Sequence, residues 1–209
     1  TTGYAQSSGP VVDTTKSFSL SAWARLSDLS RSQTIVSQQA TTLSGFALHY
    51  SATSQRFAFS RYHSDVASPA ASRSTAATAP VANAWTHLTG VYDAAGQTVQ
   101  LFVNGRPQGQ PVPFTTPWLA TGSLQIGRFH NSTGYVEHFS GVADEVKVWA
   151  RALADTEVAH DAWLEDEDLS DGTAGDPVPA LVAEWDAMDM INATGATIRD
   201  TSDFGRNLT

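Results

Sequence analysis

The chain contains no cysteine. Disulfide scaffolds, thiolate zinc sites and thiol nucleophiles are therefore excluded. Lysine occurs only at Lys16 and Lys147, so nearly all positive charge is carried by arginine. Charged residues make up only 16% of the chain, and the net charge is −9. No basic stripe exists to follow a phosphate backbone, which argues against nucleic acid and anionic membrane surfaces as partners. No apolar run reaches the length of a membrane span, so membrane insertion is not expected. No Gly-x-Ser-x-Gly elbow, dinucleotide or phosphate-loop glycine pattern, or EF-hand loop occurs. The histidines at 49, 63, 87, 130, 138 and 160 lack zinc-like spacing.

What the chain does have is a hydrophobic fraction of 41%, enough for a core, in a background of Thr, Ser, Ala and Gly. That mixture suits strands and turns. Short alternating segments recur. Ser17–Ala22 alternates small polar with apolar residues. Gly45–Tyr50 and Arg56–Ser60 read as a hairpin joined by Ser51–Gln55. Trp85–Tyr92 turns at Asp93–Gly96 and returns as Thr98–Val103, where Asn104-Gly105 gives the strongest hairpin signal. Ser123–Gly127 and Gly141–Trp149 supply two more strands, and Trp23 and Trp85 are assigned to the core. One helical pattern follows at Ala154–His160, with Glu157 near its positive end. Facing antiparallel sheets with inward aromatics make a sandwich.

Beyond Trp163 the composition changes. Residues 164–180 form an acidic linker holding Glu165-Asp166-Glu167-Asp168, Pro177 and Pro179. A strand-like stretch restarts at Leu181. The chain begins at Thr1 without Met or signal peptide and reads as a piece of a larger exported protein. Export without cysteine suits a bacterium, and the arginine, alanine and threonine bias is associated with GC-rich genomes.

An ordered series carries a family resemblance: Phe18-Ser19-Leu20-Ser21-Ala22-Trp23, Trp85-Thr86-His87-Leu88, Leu101-Phe102-Val103-Asn104-Gly105, Leu124-Gln125-Ile126-Gly127 and Asp144-Glu145-Val146-Lys147-Val148-Trp149. It resembles the laminin-G-like, pentraxin-like jelly roll of the concanavalin A-like class, of the kind found in tandem in exported actinobacterial proteins. The resemblance implies an all-β, two-sheet antiparallel jelly-roll sandwich with one short helix over residues 1–163. The family's usual opening strand is missing at the front. Its counterpart stands at the end, in Glu184-Trp185-Asp186 and Asp200–Leu208. Residues 181–209 thus read as the opening strands of a second module. Completion of the first sandwich in cis, strand exchange with a neighbouring copy, and an undocked tail all stay open.

The family also implies one structural calcium ion. By resemblance its ligands map to Asp144 and Asp200, with Asp203 and Asn207 as further candidates. The alternative for Asp144 is a turn cap. Sugar recognition calls for exposed rings beside planar hydrogen-bonding groups. The loop residues of that type are Tyr62, His63, Asp65, Trp118, Arg128, His130 and Tyr135, with Arg61–Asp65 the densest cluster. Packing is the competing role for each aromatic, most of all for Trp118. Catalysis is not expected: Asp144 and Glu145 are adjacent and point to opposite faces of a strand, so no carboxylate pair is available for glycoside hydrolysis. The leading expectation is a secreted or cell-surface module binding a glycan or a protein surface. A structural spacer in a tandem array is the alternative, and a glycan hydrolase the weakest reading.

Overall fold

The computed structural model describes residues 3–163, 180–185, 200, 202 and 206–208. Period-two alternation becomes strand almost wherever it occurs. The strands are β1 (Ala5–Gln6), β2 (Phe18–Leu26), β3 (Gln33–Gln39), β4 (Ser44–Ser51), β5 (Arg56–Tyr62), β6 (Ala71–Thr75), β7 (Thr86–Asp93) and β8 (Thr98–Val103). They continue with β9 (Arg106–Pro107), β10 (Val112–Pro113), β11 (Leu124–Ile126), β12 (Phe129–Asn131), β13 (Gly134–Val136), β14 (Gly141–Trp149) and β15 (Leu181–Trp185). One helix, α1 (Asp155–Trp163), lies between β14 and β15.

Two large sheets result, ordered β1-β11-β3-β4-β5-β6 and β10-β8-β7-β2-β14-β15, with β9 on β8 and a separate β12-β13 hairpin. Every pairing is antiparallel. The fold is the expected jelly-roll sandwich. Asn104 and Gly105 both take positive φ, 48° and 70°, as a two-residue hairpin between twisted strands requires.

Between the sheets lies an aromatic core. The Phe18 ring meets Phe46 at 4.8 Å, Tyr92 at 5.7 Å and Phe59 at 6.3 Å. Such pairs contribute about 0.5–1.5 kcal/mol beyond area burial. Gly90 is a contact point between the layers, because a Cβ there would lie 2.5 Å from the Phe59 ring. Arg61 also points inward, opposite Phe46. Its guanidinium donates to the Thr14 carbonyl at 2.8 Å and stands 4.3–5.1 Å from the Tyr92, Phe114 and Phe18 rings. Burial pushes its pKa down to about 9.

The tryptophan assignment is corrected. Trp23 lies on the outer face of the second sheet beside His87, because β2 sends Leu20, Ala22 and Ala24 inward and its odd positions outward. Trp85 precedes β7, is 41% exposed, and lies under the Arg25 guanidinium at 5.3 Å.

Helix α1 and the turn before it cover part of this outer face, packing Val158 and Leu153 against Val91, Phe102 and Trp149. Glu157 caps it by accepting from Ala154 N at 2.8 Å while Arg151 holds both its oxygens. Lys147 of β14 ties the layer together, with Nζ 2.8 Å from Glu145, 3.3 Å from Asp161 of α1 and 3.8 Å from Glu184 of β15. Burial alone would lower its pKa, but the three carboxylates outweigh that and hold the ammonium above its ordinary value. Asp161 also lies 3.3 Å from His87.

Strand β15 pairs with β14 in the same chain, matching Trp185 to Val146 and Glu184 to Lys147. Trp185, Ala183 and Leu208 are buried in the main core, and Leu208 bridges Ser7 at the edge of the first sheet. The acidic stretch 164–179 lies outside the described residues.

Lys147→Met should cost about 3 kcal/mol, because it leaves Asp161 buried with less compensation. A urea melt reads this loss. Weaker docking of β15 should also expose the β14 edge and let β15 pair between copies, giving a concentration-dependent dimer by light scattering. A variant with wild-type stability that stays monomeric would contradict both expectations.

Candidate functional site

The outer face of the first sheet is polar. One register row crosses all six strands as Gln6, Gln125, Ser37, Ala47, Ser60 and Arg73. The β12-β13 hairpin lies against this face. Ser37 donates to the Arg128 carbonyl at 2.9 Å, Phe129 packs on Leu43 and Ala47, and Thr34 donates to Glu137 at 2.9 Å. Burial raises the Glu137 carboxyl above its ordinary value.

One end of the row is a ledge of rings and planar polar groups. The Arg128 guanidinium lies between two tyrosines, 3.4 Å from the Tyr4 centroid and 3.6 Å from that of Tyr135. Its Nε donates to Gln125 Oε1 at 2.7 Å and its Nη2 to Gln6 Oε1 at 2.9 Å. The Tyr135 hydroxyl donates to Gln39 at 2.7 Å, and the His130 ring meets Tyr135 edge-on at 5.2 Å. Burial holds His130 below its ordinary pKa, against the pull of Asp65 and with help from the Arg128 charge. Tyr4 and Tyr135 are 52% and 37% exposed, whereas Arg128 between them is a buried residue.

Of the seven residues singled out for ligand binding, the structure brings together Arg128, His130 and Tyr135. The other four serve local packing and loops. Tyr62 stacks on Phe129 at 5.4 Å, and burial keeps its hydroxyl well above the ordinary pKa. His63 bonds Thr116 and packs on Phe114. Asp65 accepts from the backbone N–H of Thr41, Thr42 and Leu43, fixing the β3–β4 turn. Trp118 donates to the Tyr62 carbonyl at 2.6 Å. The cluster Arg61–Asp65 does not converge, since Arg61 and Tyr62 leave opposite faces of β5. Sequence reasoning missed Tyr4, Gln6, Gln39 and Gln125. The available signal was Gln125 between inward Leu124 and Ile126, a strand position that must face outward.

At the other end of the row, His49 Nε2 meets Ser60 Oγ at 2.9 Å, and Arg73 Nε also donates to that oxygen. Burial first, then the Arg73 charge, pushes the His49 pKa from 6.5 to about 3.

The calcium candidates are dispersed in role. Asp203 lies outside the described residues. Asp144 Oδ1 accepts from Glu145 N at 2.8 Å, at a β-bulge where Glu145 takes positive φ. Asp200 is buried and accepts three backbone N–H groups, from Glu184, Ser202 and Arg206. Asn207 accepts from Asp200 N at 3.0 Å. Among the described residues no three carboxylates or imidazoles converge. Asp144, Asp200 and Asn207 each have a hydrogen bond to the backbone of their own chain, and a calcium ion would need six to eight oxygens around it.

A family model described as the concanavalin A-like lectin/glucanases superfamily matches residues 1–159. The chain belongs to this superfamily. Among solved structures, the superfamily member resembles a Bacteroides ovatus protein provisionally assigned to carbohydrate binding, with TM-score 0.67 and 16% identity, over 99% of this chain and 55% of that one. It thus spans about half of that protein's length. A heptameric pentraxin of Limulus polyphemus aligns with TM-score 0.57 and 14% identity, covering 76% and 75% of the two chains. The CBM40 domain of the Ruminococcus gnavus IT-sialidase, solved with α2,3-sialyllactose, aligns with TM-score 0.57 and 12% identity, covering 70% and 83%. At these identities the likeness is one of fold. No curated protein matches the sequence.

Two outcomes follow from this geometry. His49 has a native pKa below its unfolded value, so its contribution is complete above pH 6.5 and is lost as pH falls toward 3. Stability should fall by up to about 1.4 kcal/mol per pH unit in that window. His49→Gln should flatten the urea-melt profile between about pH 6.5 and 5, and parallel profiles would clear the imidazole. With the Asp200 turn held by backbone donors, EDTA should leave the melting temperature unchanged. A drop restored by calcium chloride would assign an ion to that turn.

Proposed function

We propose that this protein is a non-catalytic carbohydrate-binding module whose ligand lies on the ledge of Tyr4, Arg128 and Tyr135. The observation that carries the reading is two exposed tyrosine rings flanking a fixed guanidinium and three glutamine amides. A pyranose offers an apolar face to a ring and hydroxyls to planar amides. The fold is compatible, since the Ruminococcus gnavus domain carries sialyllactose on the same architecture. A non-catalytic role is supported by the carboxylates of this face, Asp65 and Glu137, each committed to local partners. Hydrolysis would require two of them, about 5–10 Å apart, across a bound sugar.

The reading places the module on an exported bacterial protein, where glycans are available. No helix among the described residues is long and apolar enough to cross a membrane. Residues 181–209 would then be the opening of a following module, exchangeable between neighbours through the β14 edge. A glycan array with wild-type protein, Tyr135→Ala and Tyr4→Ala tests the ledge. Wild-type binding should weaken about tenfold in either variant, equivalent to about 1.4 kcal/mol for one lost ring contact. A folded protein that binds no glycan would instead favour a protein surface or a spacer role.

A further inference from the structure

We propose that the ledge selects sugars bearing a carboxylate, received end-on by Arg128. This deepens the carbohydrate reading and rests on it. A guanidinium has five N–H donors in a planar fork. In Arg128 the side-on edge is used: Nε serves Gln125 and one Nη2 hydrogen serves Gln6. Three donors remain, two on Nη1 and one on Nη2; one hydrogen of each nitrogen forms the end-on edge, and the other Nη1 hydrogen points back toward Cδ. None of them has a partner among the described residues. Arg128 is only 6% exposed, yet Nη1 is absent from the polar atoms sealed from solvent without a bond. Arg61 differs, with Nε and Nη1 both sealed and unbonded. Nη1 of Arg128 is therefore unbonded without being sealed.

Geometry fixes what fits there. The two tyrosines at 3.4 and 3.6 Å hold the guanidinium plane, and the two glutamines set its rotation within that plane. The free pair of nitrogens matches the two oxygens of a carboxylate, and such bidentate, charge-assisted bonds are about twice as strong as neutral ones. Charge points the same way. The chain has 21 acidic residues against 12 basic ones, yet no carboxylate of the described residues bonds Arg128. A buried cation without a counter-ion is costly, and a ligand carboxylate would offset that cost. The exposed faces of Tyr4 and Tyr135 give the sugar ring its apolar support, which a free anion could not use.

The test uses an array of neutral, carboxylated and sulfated glycans, followed by titration calorimetry on the best carboxylated glycan, its methyl ester and sodium acetate. Binding should be concentrated on carboxylated glycans and weaken about tenfold or more on esterification. Arg128→Lys, which keeps the charge but loses the fork, should weaken it similarly while melting near the wild-type temperature. If Arg128→Lys is unfolded, Gln6→Ala, which releases the side-on edge, replaces it with the same expected direction. Neutral glycans bound as well as carboxylated ones, or an inert esterification, overturn the inference and leave the carbohydrate reading standing. Acetate binding without any glycan overturns it in favour of a free-anion site. A folded protein that binds nothing overturns both.

Discussion

The two-residue period of the strands, applied to one greasy interior, governs both the core and the candidate site. Once Phe46, Leu48, Phe57 and Phe59 face the second sheet, Ala47, His49, Ala58 and Ser60 must face away from it. A one-residue slip would bury the polar row and expose the phenylalanines. The spacing of the layers is set in the same way, with the Phe59 ring resting where Gly90 has no side chain. The polar face is therefore the obligatory reverse of the aromatic core, and the ledge at its end inherits the rigidity of that core.

This parity explains what was legible in the chain and what was not. Strands β2, β4, β5, β7, β8, β11, β14 and β15, the Asn104-Gly105 turn and the single helix could be read because they rest on local chemistry, whereas β3 and β6, rich in Ser, Thr and Gln, gave no alternating signal. The ledge joins Tyr4 and Gln6 of the first strand region to Gln125, Arg128 and Tyr135 more than a hundred residues later, and no local pattern reports that pairing. Glutamine was the least informative signal. Gln38 and Gln125 lie on neighbouring strands and look alike in sequence. Gln38 faces inward and spends its amide on the backbone of Val11, Val12 and Ala120, whereas Gln125 faces outward and orients Arg128. Trp85 was misread because a strand-like neighbourhood hid its position just before β7, where its ring covers Arg25 instead of the core.

The same physics closes the second sheet. Without β15, β14 would present an unpaired edge. Strand β15 satisfies that edge and sends Ala183 and Trp185 into the main core, while Trp185 Nε1 donates to the Arg206 carbonyl at 2.9 Å. Asp200 then gathers the backbone of Glu184, Ser202 and Arg206 around one carboxylate, so the segment is organised by hydrogen bonds from its own chain. Lys147 links this added strand to the helix through carboxylates on both.

The two buried arginines show how environment assigns different work to one side chain. Arg61 lies between the sheets, where three aromatic faces and one carbonyl are its surroundings and two of its nitrogens are sealed. Water and ligands cannot reach it, so its role is confined to packing, with burial as a standing cost. Arg128 lies on the reverse face, where rings again hold the plane but amides take one edge only. Its cost is of the same kind, and the difference is that its unbonded nitrogen is not sealed. An arrangement that fixes a charge in plane and rotation while leaving a matched pair of donors unbonded is preorganised for a planar anionic partner. That preorganisation sets Arg128 apart from Arg61 and is the ground for proposing a recognition surface at the Tyr4–Tyr135 ledge.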